Sequence, residues 1–435
     1  MTYVVPAGEY DRHDDAATGR SIVVAGTYHH VPAEPVGLFG ALVGIPRGII
    51  DAASVIAFVF LVGGAFGVVD RTGALHEGID WLVRRLGTRG IVAIPIVSLA
   101  FATGGVLENM QEEIIALVPA LLLLTQRLGF DATTAVLISL GAATVGSAFS
   151  PVNPFQVLIA QKVAHLPQAS GSGFRTVALL LALALWIAGT MRYAQRTRKS
   201  VGVGAPSDAV PSDAAPGDTV PRGRRGGLVI AIVLATFAFF VYGVLRLGWD
   251  FDQEAALFFA MGIAAGLVGG LRIAGTADAF IDGFRSMTLA ALLIGVARGI
   301  SVVMKEGHII DTVVQALAAP LAKLPVGVAA LGMMAVQAII HVPVPSASGE
   351  AVLTIPILAP VSDLIGLSRQ VTVLTYQYGA GLCELLTPTN GALMAVLAAA
   401  NVRFEDWLRA ATRITLVLAA LGAVAIVIAV AVKLS

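Results

Sequence analysis

Charged side chains are scarce in this chain. Of its 435 residues, 13% are Asp, Glu, Lys or Arg against 57% hydrophobic, and the mean hydropathy is +0.85. So little polar surface cannot cover a water-soluble globule of this length, which makes the chain a polytopic membrane protein. The 28 basic and 28 acidic residues cancel, leaving no field that would draw nucleic acid or an anionic surface as a partner. A single cysteine, Cys383, excludes an internal disulfide and a cysteine-based zinc site. Residues 1–35 contain no apolar run of the signal-peptide kind and carry Glu9, Asp11, Arg12, Asp14 and Asp15, so no cleavable signal is expected. Catalytic signatures are also missing at membrane depth. No nucleophile elbow, H-E-x-x-H or paired-aspartate motif sits there, and SASGE (346–350) is a weak nucleophile motif by itself. No enzyme activity is expected.

What fills the chain is apolar sequence in membrane-length runs. Stretches of about 20 residues, enough for one span, lie near 52–69, 132–164, 174–191, 227–246, 254–272, 286–304, 369–400 and 407–432. Two further apolar regions, 91–125 and 324–362, are interrupted by ENMQEE (108–113) and PVPSASGE (343–350). Each reads as a re-entrant helical hairpin that enters the membrane and returns on the same side. Gly104 and Gly105 in the first, and Pro343, Pro345 and Gly349 in the second, supply the backbone breaks. Amphipathic patterns around 74–88 (Leu75, Ile79, Leu82, Val83 and Leu86 on one face) and 308–322 predict short helices lying at the interface.

The chain also repeats itself without a gap. Glu113, Pro119, Gly129, Val136, Leu137, Ala143, Pro151 and Asn153 recur as Glu350, Pro356, Gly366, Val373, Leu374, Ala380, Pro388 and Asn390, at a constant offset of 237 residues. Broken hydrophobic segments at matching positions of two halves point to the solute site of a secondary transporter, because unwound backbone survives at membrane depth only where it lines a cavity. The predicted architecture is all-α, with two inverted-topology repeats, each holding a re-entrant hairpin and a broken transmembrane helix. Residues 1–50 form a polar N-terminal segment and interfacial lead-in. Repeat 1 spans 51–192 with hairpin 91–125 and broken helix 132–164, and repeat 2 spans 281–435 with hairpin 324–362 and broken helix 369–400. Connecting spans occupy 227–280. The linker 193–226 is rich in Pro, Gly, Ser and Asp and reads as a disordered tether. Seven basic residues (Arg192, Arg196, Arg198, Lys199, Arg222, Arg224, Arg225) in and beside it put it on the cytoplasmic side. Threading the spans from there makes the hairpins enter from opposite faces.

The hairpin tips bring Glu108, Asn109, Gln111, Glu112 and Glu113 together in the first half, and Ser346, Ser348 and Glu350 in the second. A carboxylate at the bilayer midplane costs about 2.5–3.5 kcal/mol by insertion scales, so these tips must face a wet or protein-lined cavity, where they would hold a solute or coupling cation. As a simpler alternative, Glu113 and Glu350 only cap the returning arms. The paired breaks SPVNP (150–154) and TPTNG (387–391) free backbone carbonyls and start new helices inside the membrane. That makes Ser150, Asn153, Thr387, Thr389 and Asn390 candidate ligands, with sodium possible at 150–153 and 387–390 and no other metal site. Arg298 interrupts an apolar span and needs a partner, either a substrate carboxylate or a tip glutamate. Glu384 lies on the span leading to the second break, and His341, just before the second tip, reads as a hydrogen-bonding residue. Five interior carboxylates (Glu108, Glu112, Glu113, Glu350, Glu384) thus stand against one arginine.

At these residues the chain resembles the C4-dicarboxylate anaerobic carrier family, in its YfcC-like branch, within the wider ion transporter superfamily. The resemblance rests on PAGEY (6–10), GVVDRTGAL (67–75), ENMQEE (108–113), GFDATTA (129–135), SPVNPF (150–155), PSASGEA (345–351), GLSRQV (366–371) and TPTNG (387–391). It implies two inverted repeats in a bacterial cytoplasmic membrane protein, assembled as a homodimer with a scaffold and a moving, elevator-like transport part. It also implies that tips and breaks carry substrate and cation. Family members usually place a span ahead of the PAGEY-like segment, so either the start is set late here or that span is absent. The site lies outside it in both cases. The function expected is secondary active transport of a small carboxylate-bearing metabolite, C4-dicarboxylate or amino acid, by symport or antiport with Na+ or H+ and without a cofactor. A passive anion channel is the alternative, with a membrane-embedded hydrolase far behind.

Overall fold

The computed structural model describes residues 2–15, 20–75, 77, 87–198, 224–247, 249 and 251–434. Most of the predicted linker and most of the amphipathic stretch 74–88 lie outside the described residues. The remainder is helical apart from two small strand pairs near the N-terminus. Among the described residues seven helices are long and apolar enough to cross a membrane, and on Phe404–Ala431 only 33% of the most apolar window is buried inside the protein, leaving the rest to face lipid.

Residues 1–50 differ from the polar lead-in that the sequence predicts. Strand β1 (Gly8–Glu9) pairs antiparallel with β4 (His29–His30), and β2 (Arg12–Asp15) with β3 (Arg20–Val23). Helix α1 (Leu38–Asp51) follows and leads through Ala52 into α2 (Ala53–Arg71). Both run along one 35-residue helix, α10 (Arg272–Glu306), which extends well before the predicted span 286–304. Glycine makes that contact close. A Cβ built on Gly48 would stand 2.4 Å from Gly295 O, and one on Gly283 would stand 2.6 Å from Gly64 Cα. Helix α1 missed its helical reading because Gly37, Gly40, Gly44, Pro46 and Gly48 lower helix propensity, and packing against α10 overrides that preference; α2 matches the expected span 52–69.

Between these lie the elements that carry the site. The first hairpin is α3 (Ala93–Glu108) and α4 (Glu112–Arg127), joined by Asn109, Met110 and Gln111. The first broken helix is α5 (Ala132–Ala148), which contains one widened π turn at Leu137–Gly141, followed by α6 (154–163). Helix α7 (Ser172–Thr197) closes this half, and α8 (Arg224–Tyr242) and α9 (Phe251–Gly269) lead to α10. After a short α11 (Ile310–Ala318), the second hairpin is α12 (Val326–His341) and α13 (Ala347–Ile365). The second broken helix is α14 (Arg369–Cys383) and α15 (Gly391–Ala399), and α16 (Phe404–Ala431) ends the fold. The offset of 237 carries Ala132–Ala148 onto Arg369–Cys383, and 154–163 onto Gly391–Ala399, within two residues at each end.

Local chemistry explains why these helices begin where they do. Gly129 and Gly366 both adopt left-handed backbone, φ +81° and +73°, which glycine alone reaches without strain. Two residues later the broken helices start under a side-chain cap. Asp131 Oδ1 accepts from Thr134 N at 2.8 Å, and Ser368 Oγ accepts from Val371 N at 3.3 Å. The helices also sort into two contact groups. One holds α1, α2, α8, α9 and α10, and the other holds both hairpins, both broken helices, α7 and α16, with α2 against α4 and α10 against α15 joining them.

The strand pairs dock on α11. Asp311 accepts from Tyr10 N at 2.9 Å and takes both of its carboxylate oxygens to Arg12, while Tyr10 also bonds Gln315. Burial, with the Asp311 charge and Tyr28 beside it, pushes the Tyr10 phenol up to about 12 from its ordinary value of 10.0. Because the folded value lies above the unfolded one, the docking this phenol supports is complete below pH 10 and lost as pH rises to about 12. Limited proteolysis across that range should open the N-terminal segment in the wild type, and Tyr10→Phe should flatten the dependence. For the helix contact, Gly48→Ala should lower the detergent melting temperature through an overpacking cost of about 1–3 kcal/mol. Gly173→Ala, where a Cβ meets nothing within 4 Å, should leave it unchanged.

Candidate functional site

Each helix break is held by the hairpin of its own half. Ser150 Oγ donates to Val106 O at 2.8 Å and Asn153 Nδ2 to Gly105 O at 2.7 Å, while Asn153 Oδ1 caps α6 by accepting from Phe155 N and Gln156 N. At the second break, Thr389 Oγ1 donates to Val342 O at 2.6 Å and Thr387 pairs with Thr389 at 2.7 Å. Asn390 Oδ1 caps α15 through Leu393 N at 3.2 Å. The two asparagines differ in where their amides reach. Asn153 stays within its half, whereas Asn390 Nδ2 donates across to Gln111 Oε1 at the first hairpin tip, 3.2 Å, and to Glu384 O, 3.3 Å.

From that crossing a polar chain runs into the second hairpin. Gln111 Nε2 donates to Glu384 Oε2. Glu384 Oε1 lies 3.8 Å from His341 Nε2, and His341 Nδ1 shares a 2.7 Å hydrogen bond with Glu350 Oε2. His341 and Glu350 are fully buried and Glu384 is 5% exposed. The turn that Pro343 and Pro345 enforce sets 341 and 350 opposite one another on the two arms. Ser346 caps α13 by accepting from Gly349 N at 3.3 Å, and Tyr376 OH from α14 donates to Ala347 O at 2.5 Å. Two carboxylates and one imidazole therefore meet where both hairpins and the second break converge. In such a site charge must be balanced by a proton, a metal cation or an ammonium group.

A model of the family described as DcuC, C4-dicarboxylate anaerobic carrier, matches residues 1–431. The chain belongs to the C4-dicarboxylate anaerobic carrier family. YfcC of Escherichia coli (strain K12), provisionally named a basic amino acid antiporter, is 35% identical over 372 residues, covering 82% of this chain and 74% of that protein. An uncharacterized protein of Haemophilus influenzae is 30% identical over 397 residues, covering 90% and 78%. Among solved structures, the YdaH transporter of Alcanivorax borkumensis aligns with a TM-score of 0.47 at 17% identity, covering 98% of this chain and 94% of its own. MtrF of Neisseria gonorrhoeae, whose structure is described with a class of antimetabolite efflux pumps, aligns at 0.42 and 13%, covering 97% and 90%. This member of the carrier family is a multi-pass membrane transporter.

The carrier places its expected site residues unevenly. Glu350, Ser348, Glu384, Thr387, Thr389 and Asn390 are buried around the convergence point, and Ser150 and Asn153 are buried at the first break. Glu112 and Glu113 are half-buried in the first turn of α4, and Asn109, at φ +63°, leaves its buried Oδ1 without a hydrogen-bond partner. The Glu108 side chain lies outside the described residues. Arg298 has a partner that the sequence reading did not name: its Nε donates to Asp51 Oδ2 at 2.6 Å with both side chains about half exposed, while its charge also acts on Glu112 at the first tip. The acidic end of α1 supplies that partner, an element that the sequence reading did not contain.

The balance of five carboxylates against one arginine also changes. Arg175, near the start of α7, is fully buried and was missed. It donates to Gln377 Oε1 at 2.9 Å, Gln370 Oε1 at 2.8 Å and Ser170 O at 2.7 Å. A lone cation opening an apolar helix was its only signal in the sequence. Gln111 and His341 were visible in the hairpin segments, but nothing local announced that they join two glutamates. Asn390→Ala removes a cap worth about 1 kcal/mol together with both amide contacts. Expression and monodispersity should persist while uptake of the transported solute into cells falls about tenfold or more, and normal uptake would separate the break from function.

Proposed function

We propose that this carrier is a secondary active transporter of a small carboxylate-bearing metabolite, and that the solute is an amino acid with a cationic side chain. The observation that carries the reading is the buried Glu350, His341 and Glu384 cluster. Among the described residues no lysine or arginine lies within ion-pair distance of either glutamate. An ammonium or guanidinium group would balance this site directly, whereas a C4-dicarboxylate would add two negative charges and require co-bound cations. The name given to YfcC, a basic amino acid antiporter, agrees with the first choice.

Movement and coupling follow in the same proposal. The two halves are inverted repeats whose hairpins enter from opposite faces of the bacterial cytoplasmic membrane, with the linker 193–226 inside. The hairpins, broken helices, α7 and α16 move as one elevator-like body against α1, α2 and α8–α10 in a homodimer. Protons on the cluster replace the solute's positive charge on the return step, which makes H+ the natural counter-ion for antiport. Sodium at the two breaks is the second reading for coupling. It is less favoured at 150–153, where Ser150 and Asn153 already bond hairpin carbonyls and helix N–H groups.

Purified carrier in proteoliposomes, offered labelled lysine, arginine and succinate under imposed proton or sodium gradients, tests this directly. Lysine or arginine should accumulate against its gradient when a proton gradient is imposed and should stop when it is collapsed. Glu384→Gln and Glu350→Gln should each cut that uptake about tenfold or more, since truncating a buried charge contact costs about 2 kcal/mol or above. Accumulation of succinate with lysine and arginine inert would overturn the substrate, and equilibration without concentration would make the protein a channel.

A further inference from the structure

One face of α14 is electrically graded along its length. Gln370, Gln377, Gly381 and Glu384 follow one another at seven, four and three residues, which at about 100° per residue puts them in a single stripe. Apart from His341 and Asn390, which meet Glu384 from the second half, the polar partners of this stripe come from the first half of the chain. At its start Arg175 bonds Gln370 and Gln377, and Gln377 Nε2 donates to Ser150 O at 2.7 Å. At its end Glu384 meets Gln111. Among the described residues no carboxylate reaches Arg175, whose acceptors are two amide oxygens and a carbonyl. A buried cation without a counter-charge and a buried acidic cluster without a cation therefore sit about two helical turns apart on one helix.

Between them stands a group that nothing else in the protein uses. Gln156, the third residue of α6, is fully buried, and neither its Nε2 nor its Oε1 has a hydrogen-bond partner. Its amide lies against α14 at Gly381, where a built Cβ would be 3.2 Å from Nε2. A buried amide left wholly unpaired is expensive, and such groups mark a missing ligand or water. Gly381 precedes Glu384 by three residues, about 4.5 Å of helix rise, which with the side chains' own reach matches the span of a lysine or arginine from head group to charged tip.

We propose that Gln156 reads the α-amino-acid head group of the solute, a deeper assignment within the cationic amino acid reading above. The solute lies along α14 with its side-chain cation at Glu384 and Glu350 and its head group at Gly381. Gln156 Nε2 donates to the α-carboxylate and Oε1 accepts from the α-ammonium, so both orphan atoms are satisfied at once. Arg175 does not touch the solute; its uncompensated charge fixes which end the carboxylate takes. The absence of a side chain at Gly381 lets Ala148 of α5 and the Gln156 amide pack close to α14, a built Cβ there standing 2.8 Å from Ala148 Cβ, which holds the amide beside the acidic end of the stripe.

The test uses proteoliposomes with lysine and with cadaverine, the diamine that keeps both cationic groups and lacks the carboxylate. Gln156→Leu should raise the KM for lysine about tenfold or more with kcat largely kept, while inhibition by cadaverine, which loses only the contact to Oε1, weakens distinctly less. Gln156→Glu, of the same shape, should weaken lysine and strengthen cadaverine, and it serves where the leucine variant does not fold. An unchanged lysine KM in a folded variant overturns the head-group assignment alone. Equal loss of lysine and cadaverine, or uptake falling only with melting temperature, gives Gln156 a packing role and also overturns it. If the wild type takes up neither lysine nor arginine, the reading beneath it falls, and the alignment along α14 falls with it.

Discussion

Backbone that is unwound at membrane depth must find partners within the protein, and the rest of this structure depends on how it does so. An unpaired N–H or C=O in hydrocarbon costs several kcal/mol. Here each break gives a side-chain hydroxyl or amide to the last carbonyls of a hairpin arm: Ser150 and Asn153 to Val106 O and Gly105 O, and Thr389 to Val342 O. A hairpin and a break therefore stabilise one another. Neither would be tolerable alone, which is why each half carries both.

The two halves depart from equivalence where the charges lie. At the first break Asn153 stays with its own hairpin and Ser150 O accepts from Gln377 of the second half, whereas the second break reaches the opposite hairpin tip through Asn390 and Gln111. Glu384 stands where the first half has Ser147, and His341 and Glu350 complete the cluster from the second hairpin. The polar cluster near the meeting of two similar halves is thus built mostly from the second, with the first supplying Gln111, the neighbouring Gln156 amide and part of the scaffolding. The N-terminal strands add a separate clasp. Asp311 holds Tyr10 and Arg12, and β3 reaches α13, so the segment bridges the end of α10 and the returning arm of the second hairpin.

Much of the fold was legible because its signals are local. Runs of apolar residues set the spans, Gly129 and Gly366 announce left-handed turns, and Asn-Pro and Asn-Gly pairs mark where helices stop and restart. Helix α1 escaped because its glycines and Pro46 argue against a helix by themselves, and only the flat face of α10, with its own Gly295 and Gly299, makes them useful. Arg298 was recognised as needing a partner, but its hydrogen-bonded one, Asp51, belongs to that unseen helix. Gln156 lacked any local pattern, and Arg175 showed only as a lone cation opening an apolar helix.

By itself the sequence determined the class of protein, the apolar spans, the doubled hairpin and break, and the residues that stand exposed by those interruptions. These follow from periodicity, proline and glycine geometry, and the cost of charge in hydrocarbon, all of which act within a few residues. Tertiary structure alone decided which of the polar residues meet. Glu350, His341, Glu384, Gln111 and Asn390 span 279 positions from Gln111 to Asn390, and Coulomb energy and hydrogen bonding depend on distance in space, which no local pattern in the chain records.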